Sequence, residues 1–243
     1  MNSWKLNTRF VARLFVCLLV AVQMLFAPIT RSFEVSAQCR IAAPAAVIYD
    51  NGPFITGTTT RSGVVAGAGT SWSEVSWDFS STTVANTAAG VGCKKVATTT
   101  LNRCADDFSV PPGQTWTINT VTTYAYQTGF AGATSPVTLA NVQIWNGRPG
   151  DPGATVVAGN STSVPFTSVD TTAFRIFNTG PPFNTVPGTT RRIWATTMTL
   201  AAPAVLTGGT YWVDFQTEAG AGGNFSPAMT IPGTRGTTGA NDR

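Results

Sequence analysis

The sequence predicts an all-β domain, built as a two-sheet antiparallel β-sandwich or jelly roll. Three observations predict this fold class. Thr, Val, Gly, Pro and aromatic residues are abundant after residue 37, whereas Lys, Glu and Leu are scarce, and this composition favours strands over helices. No segment repeats its apolar residues with the 3.6-residue period of a helix. Short alternating runs recur between Gly, Pro and Asn residues, at a spacing typical of sandwiches.

The predicted strands follow these alternating runs, and turn residues separate them. Pro111-Pro112-Gly113 suits a type II turn, and Asn146-Gly147 cannot continue a strand, so both predict hairpin or corner connections. The predicted strands are 46–50, 71–79, 105–110, 114–127, 137–145, 154–158, 173–177, 191–200, 210–217 and 224–231.

The N-terminus has the pattern of a secretory signal peptide. Basic residues precede an apolar run at 14–27, and the small residues around Ser36 suit cleavage before Gln38. An uncleaved anchor is the alternative, although the run is short for a membrane span; only then would the protein contact a membrane. We therefore expect a secreted protein, extracellular or at the cell surface. The expected regions are a signal peptide at 1–37, a linker at 38–45, the β-sandwich at 46–231 and a disordered tail at 232–243.

Cleavage would change the charge balance of the chain. The full sequence has 15 Lys and Arg residues against 11 Asp and Glu residues. Four of the basic residues and one of the acids lie within 1–37, which leaves eleven basic and ten acidic residues. A nearly neutral domain lacks the basic patch that nucleic-acid binding needs, so we expect no nucleic-acid partner.

Three cysteines remain after residue 37, in a compartment that favours disulfides. Cys93 and Cys104 are close enough in sequence to close a small loop, and we predict a disulfide between them. In the chain-entropy model such a bond stabilises the fold by about 3 kcal/mol. Cys39 is then left over, as a free thiol, an intermolecular partner or a lipid attachment site.

The adjacent aspartates Asp106 and Asp107 invite a catalytic interpretation. Alternate residues of a strand point to opposite faces, so Asp106 shares the face of Phe108 at the rim of the core, while Asp107 meets solvent. Acids on opposite faces cannot act together in one cleft, and the chain contains no histidine. We therefore expect no enzyme activity.

Calcium binding is a second interpretation of the aspartates, because calcium takes carboxylate and carbonyl oxygens and needs no histidine. Asp106, Asp50 and Asp151 are the candidate ligands for a structural calcium ion. The chain has no Asp-x-Asp-x-Asp-Gly run. The alternative is that an arginine or backbone amides satisfy Asp106, and in that case we expect no cofactor.

Two predicted strands display tryptophans opposite an apolar face. In the run TYWVDFQT, one face carries Tyr, Val and Phe, and the other carries Trp212, Asp214 and Gln216. In the run NVQIWNG, Gln143 and Trp145 similarly oppose apolar neighbours. Sugar rings stack on indoles while their hydroxyls bond to acids and amides, so these five residues are a candidate carbohydrate site. Packing of the tryptophans under a loop is the alternative.

The stretches ADDFSVPPGQTWTI, YAYQTG, VQIWNGRPGDPG and GGTYWVDFQ resemble a poorly characterised group of secreted bacterial β-sandwich domains, jelly-roll-like, in exported or surface-anchored proteins. The likeness covers 47–231. It implies the fold and export, and it implies no catalytic residues. The chain departs from the group because no apolar anchor follows Ile231, and we therefore expect either a truncated or a freely secreted product.

Together these features predict a secreted, non-catalytic β-sandwich module for binding or surface interaction. The expected partner is a polysaccharide or another cell-surface component. A structural or adhesive extracellular protein is the first alternative, and a carboxylate-based glycoside hydrolase is the second.

Overall fold

The computed structural model of the chain describes residues 46–60, 63–74, 92–96, 100–130, 132–176 and 188–220. The chain divides into two units, Met1–Ala46 and Val47–Arg243, and all described residues except Ala46 belong to the second. The predicted signal peptide, linker and tail, and the predicted strand at 224–231, therefore lie outside the described residues.

Eight strands and no helix make up the regular structure of the described residues, which confirms the all-β prediction. The described residues therefore include no helix that could span a membrane. The strands are β1 (Ser71–Glu74), β2 (Lys95–Val96), β3 (Thr100–Leu101), β4 (Cys104–Tyr126), β5 (Val137–Trp145), β6 (Val156–Asn160), β7 (Phe166–Ile176) and β8 (Arg192–Ala219).

Six of the strands form one mixed sheet, whose order is β1-β7-β8-β5-β6, with β4 on the other edge of β8. The β1–β7 pair is parallel and the other pairs are antiparallel. Strands β2 and β3 form a separate two-stranded sheet. Strand β8 is central, because β4 pairs along most of one edge while β7 and β5 share the other.

Of the two connections predicted at Pro111-Pro112-Gly113, a hairpin or a corner, the hairpin is wrong. The predicted strands 105–110 and 114–127 belong to one strand, β4, which keeps β8 as its partner on both sides of the prolines. Residues 111–114 stand opposite Gly208 alone, as a bulge. Proline has no N–H to donate to a ladder, and a bulge tolerates this without ending the strand. A Cβ on Gly208 would lie 2.9 Å from the Cα of Pro112, so the bulge favours glycine there.

Three other predicted strands are observed, two of them with different bounds. The prediction at 137–145 is confirmed as β5, and those at 154–158 and 173–177 become β6 and the end of β7. The predicted strands 191–200 and 210–217 are one strand, β8. The segment 46–50 is irregular rather than a strand, and it is attached through the Tyr49 ring, whose centroid lies 5.7 Å from that of Phe108.

The main core lies on one face of the sheet and draws on β4, β5, β8 and the segment before β7. Alternation along β5 places Val142 and Ile144 in this core and Gln143 on the other face, as the sequence predicts. The buried members are Phe108, Val110, Ala140, Val142, Ile144, Val164, Met198, Leu200, Ala204 and Leu206.

The hairpin between β5 and β6 requires a glycine where the two strands approach most closely. The N–H of Asn146 donates to the carbonyl of Thr155 at 3.1 Å, which closes the predicted connection. Gly159 has a φ of +91°, and a Cβ there would collide with the Val142 carbonyl oxygen and lie 2.9 Å from the Cα of Gln143. Gly150 has a similar φ of +93° but has open space around it.

The difference between Gly150 and Gly159 separates the cost of a side chain at positive φ from the cost of a collision with backbone atoms. We expect Gly150→Ala to lower the free energy of unfolding by about 1 kcal/mol, the cost of a side chain at positive φ. We expect Gly159→Ala to lower it by about 3 kcal/mol or more, because backbone atoms must also move. Urea denaturation of both variants measures the two effects, and equal losses would contradict the close approach of β6 to β5.

Candidate ligand-binding site

The strand register brings together the five residues predicted to bind carbohydrate. Trp145 of β5 is the direct Cα partner of Trp212 of β8, and Gln143 is the partner of Asp214. Gln216 follows two residues later on the same face of β8. All five therefore lie on the face of the sheet opposite the main core. We call this surface the tryptophan face.

Strand β4 adds a further acid to the tryptophan face. Asp107 is the Cα partner of Trp212 on the edge of β8 away from β5, so one row runs from Asp107 through Trp212 to Trp145. Asp107 points away from the main core, as predicted, but it is half-buried beside this row rather than fully exposed. A carboxylate thus stands next to the paired tryptophans.

The side chains of this face differ in their burial. Trp145, Trp212 and Gln143 are half-buried, whereas Asp214 and Gln216 are each only 3% exposed. Buried polar groups need hydrogen-bond partners, because an unpaired carboxylate or amide away from water costs several kcal/mol. The chain itself supplies the partners of both buried residues.

Asp214 bonds to two different side chains. Arg103 Nε donates to its Oδ1 at 2.6 Å, and the indole N–H of Trp145 donates to its Oδ2 at 3.2 Å. Gln216 accepts a hydrogen bond from Asn141 at 3.3 Å, and its own amide donates to two backbone carbonyls of the segment 93–104. Direct contact of a ligand with Asp214 or Gln216 stays a prediction.

Arg103 is the residue of this site that the sequence analysis missed. It precedes β4, and its guanidinium reaches Asp214 and also donates to Asn141 Oδ1 at 2.6 Å. The signal in the sequence is weak: Arg103 stands two and four residues before Ala105 and Asp107, on the same alternate positions. Its partners are 38 and 111 residues away in the chain, so no local pattern reveals them.

The predicted disulfide between Cys93 and Cys104 is present, with their Cα atoms 5.2 Å apart. It closes the segment 93–104, which contains β2 and β3 and which we call the disulfide loop. The N–H of Thr217 donates to the carbonyl of Cys93 at 3.1 Å, so the loop is fastened to β8 beside the tryptophan face.

Asp106 has hydrogen-bond donors from the protein around it. Its carboxylate accepts from the side-chain amide of Asn51 and, at 3.0 Å, from the backbone N–H of Asp107. Burial raises the pKa of the nearby Tyr49 phenol, and the negative charges of Asp106, Asp107 and Asp50 raise that pKa further. The contact with Asn51 fastens the segment before β1 to β4.

The three predicted calcium ligands do not form one cluster. Asp50 accepts a hydrogen bond from the N–H of Gly52 at 2.9 Å, while Asp151 is exposed in the connection between β5 and β6. Within the described ranges, no group of three or more His, Cys, Asp or Glu side chains is placed to hold a metal ion. Calcium binding at Asp106, Asp50 or Asp151 stays a prediction.

Chemically, the half-buried side chains of the tryptophan face offer two indole rings, the Gln143 amide and the Asp107 carboxylate in adjacent rows. This set can stack on the apolar faces of a planar ligand and hydrogen-bond to its edges. Asp106 and Asp107 alternate between opposite faces of β4, so they do not converge on one reacting group. Comparisons with protein-family models, curated proteins and solved structures found no match.

The ion pair of Arg103 with the buried Asp214 and a more exposed ion pair allow a matched stability test. We expect Asp214→Asn to lower the free energy of unfolding by about 2–4 kcal/mol, because an amide cannot accept from both Arg103 and Trp145. Asp170 pairs with Arg192 at 2.9 Å with both side chains about one-third exposed. Asp170→Asn should therefore cost less than about 1 kcal/mol. Chemical denaturation measures both, and equal small losses would contradict the arrangement around Asp214.

Proposed function

We propose that this protein is a non-catalytic extracellular module that binds carbohydrate on the tryptophan face. One observation carries the proposal. Trp145 and Trp212 are direct partners on neighbouring strands, on the face opposite the core, and both remain partly exposed. Tryptophan is the largest side chain available for burial, so two of them side by side outside the core leave apolar area for a partner.

The neighbours of the tryptophans suit a sugar better than a purely apolar partner. Gln143 and Asp107 flank the row of indoles and are half-buried. Their amide and carboxylate can bond to sugar hydroxyls while the indoles stack on the C–H faces of the ring. We propose Trp145, Trp212, Gln143 and Asp107 as the groups that touch the ligand, with Asp214 and Gln216 beneath them.

The proposal includes export. The signal-like N-terminus and the disulfide between Cys93 and Cys104 both suit a protein that leaves the cytoplasm, because disulfides persist in oxidising compartments. We propose a polysaccharide of a cell surface or of the surroundings as the partner, and kinship with secreted bacterial β-sandwich domains.

We also propose that the mixed sheet folds over itself as a two-layer sandwich. Strands β7 and β5 pair with opposite ends of the same edge of β8, and bulges interrupt the β4–β8 pairing between them. The main core supports the proposal because it joins Ile144 from one end of this arrangement to Met198 from the other. Two stacked layers would bring these residues together, as in aligned sandwiches.

Distance measurement between two exposed positions tests the layers. Val169 pairs with Ala195 near one end of β8, and Val156 is linked through Trp145 to Trp212 near the other end. In a flat sheet the stretch of β8 from Ala195 to Trp212 would span more than about 50 Å, at about 3.3 Å per residue. Stacked layers about 10 Å apart predict a much shorter separation.

The measurement uses spin labels at Val156→Cys and Val169→Cys in a Cys39→Ser background, read by pulsed electron resonance. We expect a separation of about 20–30 Å, the layer spacing plus the reach of two labels. A separation above about 45 Å would instead indicate an open sheet.

Binding to soluble β-glucan, xylan and mannan tests the proposed function. We expect the wild type to bind at least one of them, and Trp145→Ala or Trp212→Ala to weaken that binding by about tenfold or more, since an aromatic contact contributes about 1.5 kcal/mol or more. Val205→Ala is the matched control, because Val205 lies on β8, is 65% exposed and is seven residues away from Trp212.

Each alternative has a distinct outcome in titration calorimetry and sugar assays. Binding unchanged by either tryptophan substitution would contradict the site. Release of new reducing ends from a polysaccharide would contradict the proposed binding module and would show that the protein is a glycoside hydrolase. Failure to bind any of the three polysaccharides, with retained attachment to cells, would favour the structural or adhesive alternative.

A further inference from the structure

The disulfide loop is fastened to β8 at both of its ends. Near its start, the carbonyl of Lys94 accepts from Gln216 Nε2 at 3.3 Å, and near its end the carbonyl of Asn102 accepts from the same nitrogen at 3.2 Å. Thr217 N–H donates to the Cys93 carbonyl at 3.1 Å. One buried amide therefore holds the two ends of the loop together against the sheet.

The loop places Arg103 on the tryptophan face, against the buried Asp214. Arg103 follows Asn102 and precedes the bonded Cys104, so both neighbours in the chain are fixed. Its guanidinium donates to Asp214 Oδ1 and Asn141 Oδ1, each at 2.6 Å, and to the backbone carbonyl of Asp214 at 3.3 Å. A planar group with several donors can hold two acceptors at once, which lysine cannot do in the same geometry.

Asp214 links Arg103 to Trp145 through its two carboxylate oxygens. One carboxylate oxygen is held by Arg103 and the other accepts the indole N–H of Trp145 at 3.2 Å. The carboxylate is planar and rigid, so fixing one oxygen fixes the position of the other. Through the two oxygens of Asp214, the position of Arg103 therefore constrains the direction of the Trp145 indole N–H.

Stability alone does not account for such a cluster. Replacing a buried ion pair with apolar residues of similar volume is often neutral or stabilising, because both charges must lose their water. A cluster that fixes an orientation, by contrast, needs directional donors and acceptors. The pair formed by Arg103 and Asp214 joins the disulfide loop to a partly exposed indole, which is a place where orientation matters for stacking.

We infer that Arg103 is a positioning residue for the carbohydrate site, and that ligand binding depends on the disulfide loop that holds Arg103. This role rests on the proposed function, because it concerns the ring that would stack on the sugar. Arg103 orients Trp145 through Asp214 and need not touch the ligand. The Cys93–Cys104 bond is then part of the binding site, although both cysteines lie outside the tryptophan face.

The test compares Arg103→Lys with Arg192→Lys in the full chain. Arg192 forms an exposed ion pair with Asp170, so its substitution controls for loss of a guanidinium. The indole N–H resonance of Trp145 is identified by its loss in Trp145→Phe. We expect Arg103→Lys to move this resonance and to weaken binding, by about three- to tenfold, to whichever of β-glucan, xylan and mannan the wild type binds best. Arg192→Lys should change neither.

The double variant Cys93→Ser, Cys104→Ser tests the loop. We expect it to move the same indole resonance and to weaken binding at least as much as Arg103→Lys does. If the folded Arg103→Lys and Arg103→Ala variants leave the Trp145 resonance and the binding unchanged, the positioning role is wrong and the proposed function stands. If the wild type binds none of the three polysaccharides, the proposed function and the role at the ligand are both overturned.

Discussion

The pairing of β8 with β4 is the constraint on which the other described strands of the mixed sheet depend. β4 occupies one edge of β8 along most of its length, and β7 and β5 divide the other edge between them. β1 and β6 reach the sheet only through β7 and β5. The registers of β4, β5 and β7 against β8 together fix which residues of these four strands face the core. A slip of one residue would exchange the two faces and expose the core residues to solvent.

The register also explains how one strand contributes to a core and to a site. Val213 and Phe215 pack against the main core, while Trp212 and Asp214 alternate with them in sequence and lie on the opposite face. The second face is partly covered, since the disulfide loop bonds to Gln216 and Thr217. This cover is why polar residues are buried outside the core, and why each needs partners from the loop or from β5.

Local patterns in the sequence predicted the features that depend only on residues close together in the chain. Alternation placed Trp145, Trp212 and Asp214 on one face, and short spacing predicted the bond between Cys93 and Cys104. The continuity of β4 through its prolines could not be predicted, because a bulge is tolerated only when the partner strand provides a residue as small as Gly208. The position of Arg103 depends on acceptors far away in the chain, which no periodicity records.

The adjacent aspartates have identical side chains but different contacts, because they lie on opposite faces of β4. Asp106 accepts from Asn51, and the same segment places the Tyr49 ring against Phe108, so this carboxylate fastens an irregular segment beside the core. Asp107 points the other way and stands beside Trp212. In the stretch ADDF, Asp106 is therefore a structural residue on one face of β4, and Asp107 is a candidate ligand contact on the other. The two acids cannot exchange these roles, because the register of β4 on β8 fixes both.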